Sequence, residues 1–367
     1  MTEQELSAYI QAIRPADEAA MEAARRRQAQ LAKPPGSLGQ LEEISIRLAG
    51  VTGQVCPAMG KCRVAVFAAD NGVVAEGVSC TPPAVTMQQA VNMTFRKTGM
   101  SAMAAAFGDD VSVVDVGIDG DVPPVGVLDR KVRRGTGDIA REDAMTRQQV
   151  LDAMAAGMEQ AARARADGVT ALGIGEMGIG NTTTSAAVLA ALTGADIEAV
   201  TGRGGGLTDE GFLRKKEVLR QALALHRPDG NDVIGVLAGV GGLDLAAMTG
   251  AFLGCAHERV PAAVDGFISI VAALCAVRLC PAVRDVLFLS HDSYEVGYRI
   301  AAEALGLQPC LRLGMRLGEG SGCPLLFRVL EGACGVMRGM ATFDEASIED
   351  SYLDEIRAVD AFTVEGA

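Results

Sequence analysis

The sequence predicts a doubly wound, mostly parallel α/β sheet, and three observations carry that expectation. From Arg63 onward, short β-rich runs alternate with helical stretches. Most of the runs are continuous apolar strings, as in parallel strands covered on both faces. Glycine is abundant, at 44 residues, while aromatics are only 4%, which suits tight turns and backbone that a ligand approaches closely.

The elements follow in order. Thr2 and Glu5 match a capping box, and Leu6, Tyr9, Ile10 and Ile13 recur at helical spacing, so the chain opens on a helix. Residues 17–31 read as a second, charged helix that Lys33-Pro34-Pro35-Gly36 ends, and residues 40–50 as a third. The strand candidates are Val64–Ala68, Val111–Val116, Val169–Ile174, Val233–Val240, Ala262–Ile268 and Val286–Ser290. Helical candidates between and after them are 84–106, 146–165, 183–192, 208–226, 243–257, 269–279 and 294–305, and the charged segment 342–358 reads as a closing helix. This order predicts an α/β catalytic domain over residues 61–339 and a small helical domain built from both termini, residues 1–60 and 340–367.

Composition narrows the function classes. The 367 residues fit one large or two modest domains. Hydrophobic residues at 49% against 22% charged exclude a disordered chain, which lacks the apolar surface to offset ordering entropy. Few aromatics and no tryptophan argue against a stacking platform for single strands. A net charge of −13 opposes a nucleic-acid or anionic-membrane partner and leaves room for a local basic phosphate pocket. The nine cysteines are odd in number, contain no CxxC pair and partly sit in apolar runs, so they read as reduced thiols of a cytoplasmic protein. Three histidines, His226, His257 and His291, argue against a zinc site. Neither a signal peptide nor a membrane span is expected, because the N-terminus lacks a basic and then apolar region and Gly, Asp or Arg breaks the long apolar stretches.

Five segments could carry chemistry. Gly173-Ile-Gly175-Glu176-Met177-Gly178-Ile-Gly180-Asn181-Thr182 follows a predicted strand and opens a predicted helix, where backbone N–H groups and the helix N-terminus favour an anion. It also contains GxGxxG, with Asp196 at about the spacing of a ribose contact, so a nicotinamide dinucleotide and a plain glycine-rich turn stay open beside the anion site. Glu176 inside the fingerprint weighs against a pyrophosphate. Thr201-Gly-Arg203-Gly204-Gly205-Gly206 precedes a helix carrying Lys215 and Lys216, which suits a phosphate monoester or else a flexible turn with a solvated basic face. Ser290-His291-Asp292-Ser293 lies at the carboxyl end of a strand, where open α/β sheets bind ligands, but adjacent residues point in different directions and no GxSxG elbow exists. Leu313–Gly322 holds Glu319 among glycines and apolar groups. Desolvation there would raise its pKa toward general-base use; the plain reading is an exposed loop glutamate. Asp70-Asn71-Gly72 with Glu76, followed by Thr81, Gln88 and Gln89, lies at another strand end.

KPPGSLGQLE (33–42), FAADNGVVAEGVS (67–79), GIGEMGIGNTTTSAA (173–187), TGRGGGLTDE (201–210), GGLDLAAMTGAFLGCA (241–256), VDGFIS (264–269), SHDSYEVGY (290–298) and LGMRLGEGSG (313–322) together resemble the nicotinate-nucleotide–dimethylbenzimidazole phosphoribosyltransferase family. They occur in the family's order across nearly the whole chain, and EMGIGNTT and RLGEGSG are highly specific. The resemblance implies a Rossmann-like sheet with a small helical domain, a homodimer, no cofactor and no metal. It implies transfer of phosphoribose from nicotinate mononucleotide to 5,6-dimethylbenzimidazole or a related base, giving nicotinate and α-ribazole 5′-phosphate for cobalamin assembly. By the same resemblance Glu319 is the general base and Glu176 sits in the base pocket, which Thr81, Gln89, Met177 and Leu317 line. Gly204, Lys215 and Ser293 fall where the family holds the nucleotide's phosphate and ribose, beside the Gly178, Gly180 and Asn181 turn. Asn71, Asp244, Tyr298 and Thr81 depart from the His, Glu, His and Ser that the family commonly has, which leaves adenine, other benzimidazoles and phenolic bases open as acceptors. A nicotinamide-dependent oxidoreductase and a non-catalytic nucleotide-binding protein are the competing classes.

Overall fold

The computed structural model describes residues 1–123 and 126–354. Six strands, β1 (Cys62–Ala69), β2 (Asp110–Gly117), β3 (Val127–Asp129), β4 (Ala171–Met177), β5 (Ala262–Val264) and β6 (Leu287–Leu289), form one sheet in the order β3-β2-β1-β4-β5-β6. Every adjacent pair is parallel. All seven residues of β4 are buried, and in β1 only Arg63 is not, as the unbroken apolar runs require of strands covered on both faces. The order reverses direction between β1 and β4. Their register sets Phe67 opposite Glu176 and Ala68 opposite Met177, so the loops after both strands leave one edge together. Such a reversal opens a crevice at the carboxyl ends of the strands.

Helices Arg147–Ala166 and Leu243–Glu258 cover one face and touch backbone to backbone. A Cβ on Gly157 would stand 1.8 Å from the Ala247 carbonyl oxygen, and one on Gly250 would stand 2.0 Å from that of Met154. Glycine's helix penalty of about 1 kcal/mol is offset there by close packing. The capping box at Thr2 and Glu5 forms, with bonds of 2.7 and 3.2 Å, and starts helix Glu3–Gln11. Helices Glu18–Gln30 and Gln40–Thr52 follow. Ala20, Ala24, Leu31, Ile46, Ala49 and Met337 make a small apolar cluster apart from the main core. Leu6, Ile13, Ile44 and Leu48 belong to the main core.

Several local expectations are corrected. Val233–Val240 is a buried helix, not a strand: β4 pairs with β5 directly, and the Asp232 carboxylate caps the Gly235 amide at 3.0 Å. A short, wholly apolar run has no period that separates a buried strand from a buried helix. The 84–106 stretch is two helices, Val85–Thr94 and Gly99–Phe107, because Thr98 forms a new N-cap. Helix Cys323–Gly339 is an addition to the expected elements, although Pro324 in its first turn and Leu326, Phe327, Leu330, Ala333, Cys334 and Met337 mark it. The short edge strand β3 is a second addition. Residues 342–353 hold turns and the 3₁₀ turn Ser351–Leu353 in place of the expected helix, Asp354 is helical, and residues 355–358 lie outside the described residues. Thr342 and Glu345 exchange capping bonds of 2.8 and 3.1 Å, but Ser347 turns left-handed at φ +54° and the helix does not continue.

Candidate active site

A cavity of about 280 Å³ opens at the carboxyl ends of the strands. Its walls are the turn after β4, the loops after β5 and β6, the Arg203–Gly205 turn, the Val78–Gln89 region and the Arg316–Glu319 loop. Glu176, Met177, Gly178, Gly180 and Asn181 line it, as do Thr81, Gln89, Gly204, Ser293, Leu317 and Glu319. Lys215 does not.

Glu319 is held by an unusual backbone. Gly318, Glu319 and Gly320 have φ of +82°, +63° and +84°, three left-handed residues in a row, and only the middle one carries a side chain. Such strain persists where surroundings over-determine it. Here the Asp265 carboxylate accepts the Gly320 and Gly322 amides at 3.1 and 2.6 Å, and Glu176 accepts the Glu319 amide at 3.3 Å. Gly175 lies against the same turn, where a Cβ would be 2.6 Å from the Glu319 carbonyl oxygen. The Glu319 Oε2 accepts the Met100 amide, in the first turn of helix Gly99–Phe107, at 3.2 Å. Burial pushes the Glu319 carboxyl above the usual range, and the Met100 amide and Thr98 hydroxyl pull it partly back.

Glu176, the penultimate residue of β4, is buried as well. Burial raises it to about 8, and the Asp244 and Asp265 charges add to the shift. It is therefore mostly a neutral acid at pH 7. The Asn181 Nδ2 donates to the Glu176 Oε2 and, at 2.9 Å, to the Asp244 Oδ2, so both amide protons are spent on carboxyl groups. Burial raises Asp244 to about 6. The cavity thus holds a mostly neutral Glu176 beside Glu319, whose shift the Met100 amide and Thr98 hydroxyl oppose, the pattern of paired carboxyl groups with different duties. Among the described residues no group of three or more His, Cys, Asp or Glu side chains is arranged to hold a metal. A group with a raised native pKa favours folding at low pH and loses that contribution as it ionises in the native state. For Glu176 the loss runs from its ordinary 4.5 up to about 8. Glu176→Gln should therefore show a shallower fall of unfolding temperature across this pH window than the unaltered protein, measured by scanning calorimetry; parallel curves would contradict the assignment.

The other wall suits an anion. Helix Asn181–Thr193 begins after Gly180 at φ +93°, and helix Phe267–Leu279 begins after Gly266; neither has a side-chain cap. Gly180, Asn181, Thr182, Gly266 and Phe267 all line the cavity, so two uncapped helix N-termini face it. Gly204 packs on Thr182, whose Oγ1 accepts the Lys215 ammonium at 2.9 Å. Lys215 is fully buried and also donates to the Gly202 carbonyl at 3.1 Å. Burial lowers its pKa to about 8, and the Glu295 charge opposes that. It supports the wall from behind instead of lining it.

The structure also decides among the sequence readings. Asp196 caps helix Ile197–Val200 by accepting the Glu198 amide at 2.7 Å, which explains it without a ribose. His291 meets the Ser290 hydroxyl at 3.0 Å, but its nearest carboxylate is Asp265 at 3.8 Å. Asp292 turns to Arg299 at 3.4 Å, so the three consecutive residues form no triad. Glu76 is ion-paired with Arg141 and Arg214. Asn71, Asp244 and Tyr298 are buried and do not line the cavity, whereas Thr81 does. Asp265, Arg316 and Glu295, which the sequence alone does not mark as site residues, line the cavity together with Arg203. Asp265 follows β5 directly, so the rule of strand carboxyl ends was the signal for it.

The comparisons agree with this geometry. The phosphoribosyltransferase family model matches residues 13–348. A nicotinate-nucleotide–dimethylbenzimidazole phosphoribosyltransferase of Clostridium perfringens is 46% identical over 341 residues, covering 93% of this chain and 94% of the relative. One of Geobacter metallireducens is 45% identical over 347 residues, covering 94% and 98%. The crystal structure of such a phosphoribosyltransferase from Thermus thermophilus superposes with a TM-score of 0.86 at 44% identity, covering 91% of this chain and 100% of that one.

Proposed function

Because the chain belongs to the nicotinate-nucleotide–dimethylbenzimidazole phosphoribosyltransferase family, we propose that it moves phosphoribose from nicotinate mononucleotide to 5,6-dimethylbenzimidazole or a related base. The products are nicotinate and α-ribazole 5′-phosphate. One observation carries the reading: a desolvated Glu319, a neutral Glu176 and two uncapped helix N-termini share one cavity. The phosphate lies at the helix N-termini beside Gly178, Gly180, Asn181 and Gly204, with Ser293 beside it and Lys215 charging the wall from behind. The base lies against Thr81, Gln89, Met177 and Leu317.

The chemistry follows from the substrate. The pyridinium of nicotinate mononucleotide is a cationic leaving group, so its departure from C1′ needs no metal. One azole nitrogen attacks C1′ while the C1′–pyridinium bond breaks and its electron pair neutralises the ring. The proton on the other azole nitrogen passes to the Glu319 carboxylate. In-line attack inverts the β-nucleotide to the α-linked product. Positive charge developing on the ribose is stabilised by the nearby carboxylates, and fixing the phosphate holds C1′ at attack distance.

The test of the reading is ligand stabilisation. At a hundredfold excess over Kd, nicotinate mononucleotide should stabilise the fold by about 2.7 kcal/mol, and NAD should not. Stabilisation by NAD alone would favour the oxidoreductase. Binding of the mononucleotide without nicotinate release on adding a base panel would favour a sequestering protein. Lys215→Ala should raise the KM for nicotinate mononucleotide by removing the charge and the Thr182 and Gly202 contacts behind the phosphate wall; an unchanged KM removes Lys215 from phosphate binding.

The reading extends to organisation. The proposed division is into residues 61–339 and a unit from 1–60 and 340–367; the separate packing of Ala20, Ala24, Leu31, Ile46 and Ala49 supports it, although Met337 joins that cluster and Leu6, Ile13, Ile44 and Leu48 join the main core. A homodimer is supported by Tyr294, Val296, Leu313 and Leu317, all more than half exposed on adjoining loops beside the cavity. A monomeric mass in light scattering at micromolar concentration would contradict it. Among the described residues no helix is long and apolar enough to cross a membrane. All nine cysteines are free, which supports a cytoplasmic location; disulfides in protein isolated without reductant from intact cells would oppose it.

A further inference from the structure

We infer that Glu295 is the acceptor for the vicinal hydroxyls of the nucleotide's ribose and sets the preference for ribose over deoxyribose. The inference rests on the reading of the cavity as a nicotinate mononucleotide site. Glu295 lines the cavity, yet its Oε2 is buried and has no hydrogen-bond partner. A carboxylate held away from water without donors is costly; Oε2 is closed off against Gly202, and Oε1, which is not enclosed in this way and accepts no bond from the protein, is the oxygen left for a ligand's donor. Lys215 is the nearby cation; its ammonium bonds the Thr182 hydroxyl and the Gly202 carbonyl and makes no hydrogen bond to the Glu295 Oε2.

The backbone makes room for this carboxylate. A Cβ on Gly202 would stand 1.7 Å from the Glu295 Oε2 and 2.6 Å from its carboxyl carbon. Gly202 is not among the left-handed glycines, so its backbone conformation does not call for glycine; the space for Glu295 does. Glu295 is thereby held against the residue that precedes the Arg203–Gly205 turn, two residues after Ser293.

Substrate chemistry selects the partner. The phosphate is an anion and offers Glu295 no favourable contact. Neither the nicotinate ring nor its carboxylate has an N–H or O–H at neutral pH. The ribose 2′- and 3′-hydroxyls are the donors that remain, and covalent geometry puts them between the phosphate and C1′. A carboxylate accepting them makes the short, charge-assisted bonds by which acidic residues select ribose.

The experiment compares nicotinate mononucleotide with its 2′-deoxy analogue, by calorimetric binding and by turnover with 5,6-dimethylbenzimidazole. The unaltered enzyme should bind the ribonucleotide about tenfold or more tightly than the deoxy analogue, the scale of one hydrogen bond to a charged group. Glu295→Gln should weaken ribonucleotide binding by about that factor and bring the two affinities close together. Gly202→Ala keeps the charge but displaces the carboxylate, and should erase the same discrimination; melting curves check that both variants fold. A Glu295→Gln enzyme that keeps the original ribose preference overturns the assignment. Absence of turnover and of ribonucleotide binding in the unaltered enzyme would instead refute the underlying reading, and the assignment would fall with it.

Discussion

Replacing Glu319 by glutamine is expected to lower kcat by ~10²–10⁴ while leaving the KM for nicotinate mononucleotide nearly unchanged. The free azole presents an N–H that is a poor acid, and its proton must leave as the bond to C1′ forms. An ordinary glutamate, with a pKa near 4.3, is a weak base for that task. Burial raises the Glu319 carboxyl and so strengthens its carboxylate as a base, whereas Glu176, raised to about 8, is mostly protonated at pH 7 and offers little free carboxylate to take the proton. Glutamine keeps the shape and one acceptor oxygen for the Met100 amide but removes the basic group. The activity of the unaltered enzyme should rise with pH through the Glu319 ionisation, and this limb should vanish in the variant. Near-normal kcat in Glu319→Gln would shift the role to Glu176, and Glu176→Gln would then show the loss.

Gly175→Ala is the second large effect expected, and it changes no charge. The added methyl would meet the Glu319 carbonyl oxygen at 2.6 Å, its carbon at 2.8 Å and the Gly320 Cα at 2.8 Å, all backbone atoms. No side-chain rotation relieves that clash, so the left-handed turn holding Glu319 must move. A displacement near 1 Å costs about 10² in rate, and overpacking of this kind costs about 1–3 kcal/mol in stability. Kinetics and a urea titration on one preparation measure both. Unaltered kcat would mean that the turn does not have to hold Glu319 where it lies.

The contrast between these residues shows what the sequence could reveal. The parallel sheet was legible because β1 and β4 are apolar on both faces, and their carboxyl ends were legible as ligand-binding positions. The Asn181 turn followed from glycine spacing alone. Glu319 did not: in its own loop it reads as a solvated glutamate. Its enclosure depends on Asp265, Gly175 and Met100, which lie far away in the chain. Its importance entered through the RLGEGSG resemblance. Lys215 was read as a phosphate ligand, but only the fold reveals that its ammonium ends on Thr182 behind the wall. Val233–Val240 shows the converse limit, since local apolarity carries no period that identifies the element.

The most direct measurement incubates the protein with nicotinate mononucleotide and 5,6-dimethylbenzimidazole, counts the nicotinate released and determines the anomeric configuration of the product by NMR. The account predicts one nicotinate for each α-linked ribazole 5′-phosphate. Nicotinate released without a new nucleotide, or a β-linked product, would contradict it.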